Sequence, residues 1–207
     1  METRTRILGV ARELITTRGY RATTIAELAR RADVHIDTIY ALVGRKPEIL
    51  RELLERAISG TDRAVPPEQR GYVQAMREER EAPRKLAIYA AAMRDIQPRM
   101  APLLLALRDA AATEAEAKAV WKEISDRRAR NMRDLVRDLG PEGTLRPGIS
   151  IDEAADTISA TGSAEMFILL TADRGWSLDA YERWLAETWQ LLLLASPGPQ
   201  AAQASGR

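Results

Sequence analysis

The sequence predicts an all-α protein. Apolar residues recur at spacings of three and four along most of the chain, which is the period of an amphipathic helix. Beyond residue 67 there are no alternating apolar and polar runs, and β-branched residues are sparse, so strands are not expected. Helix-capping residues and glycines delimit the periodic segments. We therefore expect a small N-terminal helical unit followed by a larger one.

Residues 4–18 form the first predicted helix. Its apolar side consists of Ile7, Leu8, Ala11, Leu14 and Ile15. Gly19 follows directly and is expected to end the helix. This helix is expected to close the core beneath the next two.

Residues 24–46 carry the most informative pattern. Thr24 and Glu27 match a capping box, which predicts a helix start at Thr24 with two backbone N–H groups satisfied. After a turn at residues 33 and 34, a second helix is predicted from about His35 to Val43. Its inward residues are expected to be Ile39, Leu42 and Val43. Two short helices joined by a tight turn are typical of a helix-turn-helix that reads DNA.

Residues 4–54 resemble the DNA-binding domain of the tetracycline-repressor family of bacterial transcriptional regulators. The resemblance lies in four stretches: Arg6-Ile7-Leu8 with Ala11, Leu14 and Ile15, then Arg18-Gly19-Tyr20-Arg21-Ala22-Thr23-Thr24-Ile25, then Ile36-Asp37-Thr38-Ile39-Tyr40, and then Arg45-Lys46-Pro47-Glu48-Ile49-Leu50. It covers about a quarter of the chain. The resemblance implies an N-terminal DNA-binding domain, a C-terminal pocket for a small effector, and dimerisation through the last two helices.

The rest of the sequence predicts further helices. Pro47 suits a first helical position, and the apolar stripe continues to Gly60. Later stripes predict helices around residues 72–76, from Leu86 to Pro98, over 100–107, 113–139 and 150–170, and from 178 to 195. We expect a helix-turn-helix domain at 1–46, a connecting helix at 47–60, an effector-binding and dimerisation domain at 61–195, and a disordered tail at 196–207.

Composition excludes several classes of site. With no cysteine and only His35, the chain has no disulfide and no multi-histidine metal site of its own, and no metal or cofactor is expected. No apolar run reaches the roughly 18 residues of a membrane span, and no signal peptide is visible, so we expect a cytoplasmic protein without a membrane partner. Residues 1–63 hold 12 Lys and Arg against 9 Asp and Glu, the remainder 19 against 21. This mild asymmetry is in the direction that DNA binding requires.

The predicted DNA contacts fall into two groups. The resemblance implies that Thr24, Thr38, Tyr40 and Lys46 contact phosphates of double-stranded operator DNA, and Arg45 is a further candidate. Base readout is expected from His35, Ile36, Asp37 and Ala41. The alternatives are a purely structural cap for Thr24 and a solvated turn residue for His35. The sequence departs from the family at Asp33, usually glycine, and at residues 41–43, where aromatic residues are usual.

The C-terminal predictions concern a pocket and an interface. Candidate pocket residues are Tyr72, Met76, Tyr89, Met93, Met100, Leu104, Leu107, Trp121, Ile124, Arg128, Asn131, Met132 and Phe167, each of which could instead be plain core. For Arg128 we favour a stem on the surface with its head in water over an inward acid-binding role. Candidate homodimer-interface residues are Tyr181, Trp184, Leu185, Thr188, Trp189 and Leu192, because one subunit would have difficulty burying all of them. The alternative is that this helix packs within the monomer.

Together these expectations describe a DNA-binding regulator rather than an enzyme. We expect a homodimer that binds a palindromic operator as a repressor and is released by a small apolar effector. One alternative is an effector-independent regulator with a closed core. The other is an all-helical enzyme, which the lack of a nucleophile–base pair and of a phosphate-cradling glycine loop disfavours.

Overall fold

The computed structural model describes residues 2–61, 65–141 and 144–195. The predicted tail at 196–207 lies outside the described residues. The all-α class is confirmed. The helices of the described residues are α1 (Glu2–Arg18), α2 (Ile25–Ala32), α3 (Ile36–Val43), α4 (Lys46–Ser59), α5 (Gly71–Glu78), α6 (Ala82–Ala111), α7 (Ala115–Arg137), α8 (Ile151–Thr161), α9 (Ala164–Ile168) and α10 (Leu178–Leu193).

Two short features complete the secondary structure of this part of the chain. A 3₁₀ turn at Pro67–Gln69 precedes α5, and a π-helical turn at Leu169–Asp173 continues α9. The one β-bridge within the described ranges pairs Leu145 with Leu194. No helix among the described residues is both long enough and apolar enough to cross a membrane.

The N-terminal helices share a buried core. The predicted apolar side of α1 is entirely buried, and Ile7 and Leu14 have no exposed surface. Leu28 of α2, Ile39 of α3 and Leu50 of α4 complete the same core. Gly19 ends α1 with a φ of +85°, as predicted, in a backbone conformation that glycine adopts readily. Beyond this core, α4 packs against α6 and α7, so α4 joins the two units.

α6 is the central helix of the larger unit, and it differs from the prediction. We expected a helix ending at Pro98 and a separate one from Met100, but α6 runs continuously through Pro98 and Pro102. Proline removes one helical hydrogen bond and usually bends or ends a helix. Here α4, α5, α7, α9 and α10 all pack against α6. That tertiary packing outweighs the local preference.

The predicted single helix over residues 150–170 is also wrong. Gly162 ends α8, and the Ser163 hydroxyl accepts the Met166 backbone N–H at 3.2 Å to start α9. A Cβ atom on Gly162 would lie 3.0 Å from the carbonyl oxygen of Ile158 and 3.3 Å from the Trp189 ring. A side chain at this position would press on Ile158 and Trp189, so glycine suits the close approach to α10.

Candidate nucleic-acid interface and effector cavity

The turn between α2 and α3 fixes how α3 is presented. Asp33 has a φ of +50°, the only left-handed non-glycine residue within the described ranges. Its backbone N–H donates to the carbonyls at the end of α2. Aspartate tolerates this conformation better than most residues, which explains how the chain does without the usual glycine. α3 then starts after His35, whose backbone is extended.

α2 is capped by half of the predicted box. The Thr24 hydroxyl accepts the Glu27 backbone N–H at 3.1 Å. The reciprocal bond from Glu27 is absent, since its carboxylate instead accepts from Arg30 at 2.8 and 3.0 Å and lies 3.5 Å from Arg18. These arginines hold the pKa of the Glu27 carboxyl below its usual value. The prediction of two satisfied N–H groups is therefore wrong, since the box satisfies the Glu27 N–H but not the Thr24 N–H.

One side of α3 is buried and the other is exposed. Ile39 and Val43 are buried as predicted, but Leu42 is 40% exposed, so its predicted inward position is wrong. Tyr40 and Ile36 are 49% and 43% exposed, which is unusual for large apolar side chains. Thr38 is half-buried. The remaining exposed residues among the candidates at this face are His35, Asp37, Ala41 and Arg45, together with Thr24 at the start of α2.

Lys46 lies in a different environment from these exposed residues. Its Nζ atom is 4.1 Å from the centre of the Tyr20 ring, a cation–π distance. Burial lowers the pKa of this ammonium group, while Glu114 and Glu116 act in the opposite direction. The Lys46 ammonium group thus lies against Tyr20 and near Glu114 and Glu116, rather than projecting from the DNA-binding domain. A phosphate contact requires the side chain to leave Tyr20.

Most of the positive charge of the N-terminal unit is paired internally. Arg4 pairs with Glu52, and Arg31 pairs with Glu13 at 2.8 Å. Two pairs reach the larger unit, Arg21 with Glu114 at 3.9 Å and Arg51 with Glu123 at 2.8 Å. Fewer cations of the N-terminal unit are therefore available to bind DNA than its Lys and Arg content suggests. Among the candidates, Arg45 has no ion pair within the part of the chain that the structure describes.

The larger unit contains a cavity of about 260 Å³ between α4, α5, α6 and α7. Ten predicted residues line it: Tyr72, Met76, Tyr89, Met93, Met100, Leu104, Ile124, Arg128, Asn131 and Met132. Three predicted residues lie elsewhere. Leu107 is fully buried core, Phe167 packs edge-on against Tyr181 at 5.2 Å, and Trp121 packs against the core without lining the cavity.

Sequence reasoning missed other parts of the wall. These residues are Ile58, Pro67, Arg70, Val73, Arg77, Lys85, Ile96, Arg127, Asp134, Leu135 and Asp138. Lys85 lies four residues before Tyr89, and Leu135 four after the predicted Asn131, so helical spacing offered a signal for both. Pro67 and Arg70 belong to the 3₁₀ turn and its end, which carry no periodic pattern.

Arg128 takes neither of the two predicted roles in full. Its guanidinium is partly buried, and Nη2 donates to the Gly162 carbonyl at 2.7 Å, at the C-terminal end of α8. The favoured position of its head in water is therefore wrong. A cation at a helix C-terminus stabilises the helix dipole. Buried Tyr89 lies nearby, and burial raises the pKa of Tyr89 to about 12, with Arg128 acting in the opposite direction.

α10 packs mainly inside the single chain. Tyr181, Leu185 and Trp189 have no exposed surface in the single chain, so three of the six predicted interface residues pack within the monomer. Trp189 stacks on Tyr89 with ring centres 5.3 Å apart, and its indole N–H donates to the Thr161 hydroxyl at 2.7 Å. These side chains are buried because α10 packs against α6, a contact between distant segments that the sequence pattern does not reveal.

A second side of α10 remains exposed. Trp184 and Thr188 are half-buried, and Leu192 is 39% and Leu191 80% exposed. Near them, Trp176 is 37% exposed and meets Trp184 edge-on, with ring centres 6.2 Å apart. We call the set Leu169, Trp176, Leu178, Trp184, Leu191 and Leu192 the α9–α10 apolar surface. An apolar surface of this kind usually marks an interaction site.

Comparisons with known proteins agree with this geometry. Residues 7–53 match the family model described as bacterial regulatory proteins, tetR family. No curated protein has a sequence that matches this chain significantly. The similar solved structures cover nearly the whole chain at low identity, and at that level they establish the fold alone.

Three of these structures illustrate the similarity. NalD, the secondary repressor of the MexAB-OprM multidrug efflux pump in Pseudomonas aeruginosa, has a TM-score of 0.71 at 22% identity, covering 93% of this chain and 97% of NalD. A protein described as a candidate transcriptional regulator from Saccharomonospora viridis, in complex with choline, has a TM-score of 0.69 at 20% identity, covering 94% and 99%. FadR from Bacillus subtilis, in complex with stearoyl-CoA, has a TM-score of 0.67 at 20% identity, covering 89% and 96%.

The match of residues 7–53 lies on the helices that present the exposed side of α3, and the structural similarity extends through the cavity and α10. Residues 7–53 thus match the tetR family of bacterial regulatory proteins, and the fold of the chain is similar to that of solved transcriptional regulators.

Proposed function

We propose that this protein is a repressor that binds a palindromic operator as a homodimer and is released by a small, largely apolar effector. The observation that carries the proposal is the exposed side of α3. Tyr40 and Ile36 are large apolar side chains that remain 49% and 43% exposed, and an α-helix fits the major groove of DNA. Ile36 and Ala41 suit contact with thymine methyl groups, and Asp37 suits a cytosine amino group.

The cavity supports effector control over the alternative of a closed, effector-independent core. Its volume of about 260 Å³ is close to the range of small-molecule pockets. Structures with similar folds were solved with choline and with stearoyl-CoA. α4 contributes Ile58 to the cavity wall, and only two residues separate its start from the end of α3. A ligand that prefers one position of α4 would shift the population of DNA-binding conformations.

The α9–α10 apolar surface supports a two-fold dimer. Trp184, Thr188 and Leu191 follow each other at helical spacing and form one stripe. A dimer interface formed by the same surface on both subunits is the commonest arrangement, and it would present two copies of α3 to adjacent half-sites.

A DNA-shift assay tests the proposed function. The purified protein is mixed with the intergenic DNA beside its own gene, and with unrelated DNA of equal length at the same salt concentration, because phosphate contacts depend strongly on salt. We expect a shift of the intergenic DNA alone, with a protected region made of two inverted half-sites about one DNA turn apart. Equal shifts of both DNAs at every salt concentration would contradict an operator-specific role.

A further inference from the structure

The wall of the cavity combines apolar side chains with an excess of cationic ones. Five cationic residues line it against two carboxylates, Asp134 and Asp138. Asp134 is already neutralised by Arg137, with a hydrogen bond of 2.8 Å. An apolar cavity with an excess of cations favours a ligand that has an apolar body and a negative group.

Two of the cations meet the protein's own carboxylate. Glu55 of α4 lies between Arg70 and Arg127, with its Oε2 atom 3.0 Å from Arg70 Nη2 and its Oε1 atom 2.6 Å from Arg127 Nη2. Both arginines line the cavity, whereas Glu55 itself does not. The Arg70 side chain is only 9% exposed, so its charge is largely removed from water. Such a desolvated guanidinium forms strong charge-assisted hydrogen bonds with a carboxylate.

The contact with Arg127 is incomplete. Although Glu55 Oε1 is buried and close to Arg127, no donor among the described residues is aligned to form a hydrogen bond with it. The Arg127 side chain is 44% exposed and makes no other ion pair within the described ranges. Arg127 is therefore the cation that a second carboxylate can recruit most easily.

We propose that the effector is an amphipathic anion, an apolar molecule with one carboxylate, whose acid group replaces Glu55 between Arg70 and Arg127. The inference rests on the proposed effector role of the cavity and names the class of effector. Two carboxylates cannot share the same pair of cations without repulsion, so effector binding and the Glu55 contacts compete. Because Glu55 belongs to α4, the competition releases α4 from Arg70 and Arg127.

Three probes built on a ten-carbon chain test the charge preference of the cavity. Decanoate, decanol and decyltrimethylammonium share one apolar chain and differ in the charge of the head group. Calorimetric titration of the full chain is expected to give decanoate a dissociation constant about tenfold or more below those of the other two, as a charge-assisted pair would provide. Arg127→Gln is expected to remove that advantage and to leave decanol binding unchanged.

Glu55→Gln tests the competition. Removing the internal carboxylate is expected to tighten decanoate binding by about three- to tenfold and to leave decanol binding unaltered, because only the anion competes with Glu55. Glu123→Gln is the matched control. It breaks the ion pair between Arg51 and Glu123, which also joins α4 to α7 but lies outside the cavity wall, and decanoate affinity should stay at the parent value.

Each contrary result has its own meaning. Equal affinity for decanoate and decanol, or a preference for the quaternary ammonium probe, would overturn the anionic class of effector. Weaker decanoate binding in Glu55→Gln would overturn the competition. Binding of none of the three probes would overturn the inference as well. The proposed DNA-binding role is measured separately by the shift assay without any probe, so its failure is distinguishable.

Discussion

At the scale of single residues, the exposed side of α3 combines apolar and hydroxyl groups. The short-range features of this region followed from the sequence, because a cap such as Thr24 and a left-handed Asp33 depend on neighbours within a few residues. The orientation of Lys46 could not be predicted from the sequence, because Tyr20 and the glutamates at the start of α7 come close to Lys46 only after folding. Helical periodicity predicts that Leu42 points inward. Its exposure shows that α3 buries a narrower face than this periodicity predicts.

Tyr40 offers the sharpest test of the DNA interface. Replacing Tyr40 by Ala is expected to weaken operator binding by about 1.5–3 kcal/mol, since a hydrogen bond to a charged phosphate is lost. Tyr40→Phe should lose a similar amount if the hydroxyl makes the contact. The ring is half exposed, so the melting temperature should stay near that of the parent. Operator affinity of Tyr40→Phe equal to that of the parent would assign the contact to the ring instead.

Thr24 tests whether the cap of α2 contributes to stability. Thr24→Ala removes the acceptor for the Glu27 N–H and is expected to lower the free energy of unfolding by about 1 kcal/mol. Thr24→Ser keeps the hydroxyl and should restore most of the loss. Urea unfolding measures both variants. Identical unfolding of the Ala variant and the parent would show that the cap contributes nothing to stability.

At the scale of helices, periodicity predicted which segments are helical but not how they join. The apolar stripes of α1, α4 and α7 are visible locally, and the helices appear where those stripes lie. The continuity of α6 and the interruption between α8 and α9 depend on packing between distant segments. The same limit applies to α10, whose aromatic residues fill space beside α6 that the sequence pattern cannot measure.

The exposed stripe of α10 gives a prediction about assembly. Leu191→Glu places a charge on the most exposed large apolar residue of the described chain and should convert a dimer to a monomer, because a buried unpaired charge is unfavourable. Arg183→Glu is the control, since Arg183 is exposed on the same helix outside this stripe. Sedimentation or light scattering measures both. A dimeric Leu191→Glu variant would place the dimer interface elsewhere.

At the scale of the whole molecule, α4 connects the two proposed sites. Leu50 belongs to the core beneath α3, while on the same helix Ile58 lines the cavity and Glu55 pairs with two of the cations that line it. Arg51 adds a bridge to Glu123 of α7. Because one continuous helix takes part in both regions, we expect a change in its contacts at one end to alter its position at the other.

Linkage between the two sites is therefore the prediction at this scale. If decanoate weakens operator binding by some factor, operator DNA must weaken decanoate binding by the same factor, which is typically about 5- to 150-fold in coupled systems. Titrations in both directions on one preparation measure the two factors. Decanoate that binds in the cavity but leaves operator affinity unchanged would show that the cavity is not coupled to α3.

The two prolines of α6 have a mechanical consequence. Pro98 and Pro102 carry no backbone N–H, so the carbonyls of Arg94 and Pro98 lack their usual helical donors. These missing bonds fall in the stretch that carries Ile96 and Met100 of the cavity wall. Helices kink most often at proline, where hydrogen bonds of the helix are missing. We therefore expect the middle of α6 to bend more readily than its ends when a ligand occupies the cavity, which would widen this part of the wall.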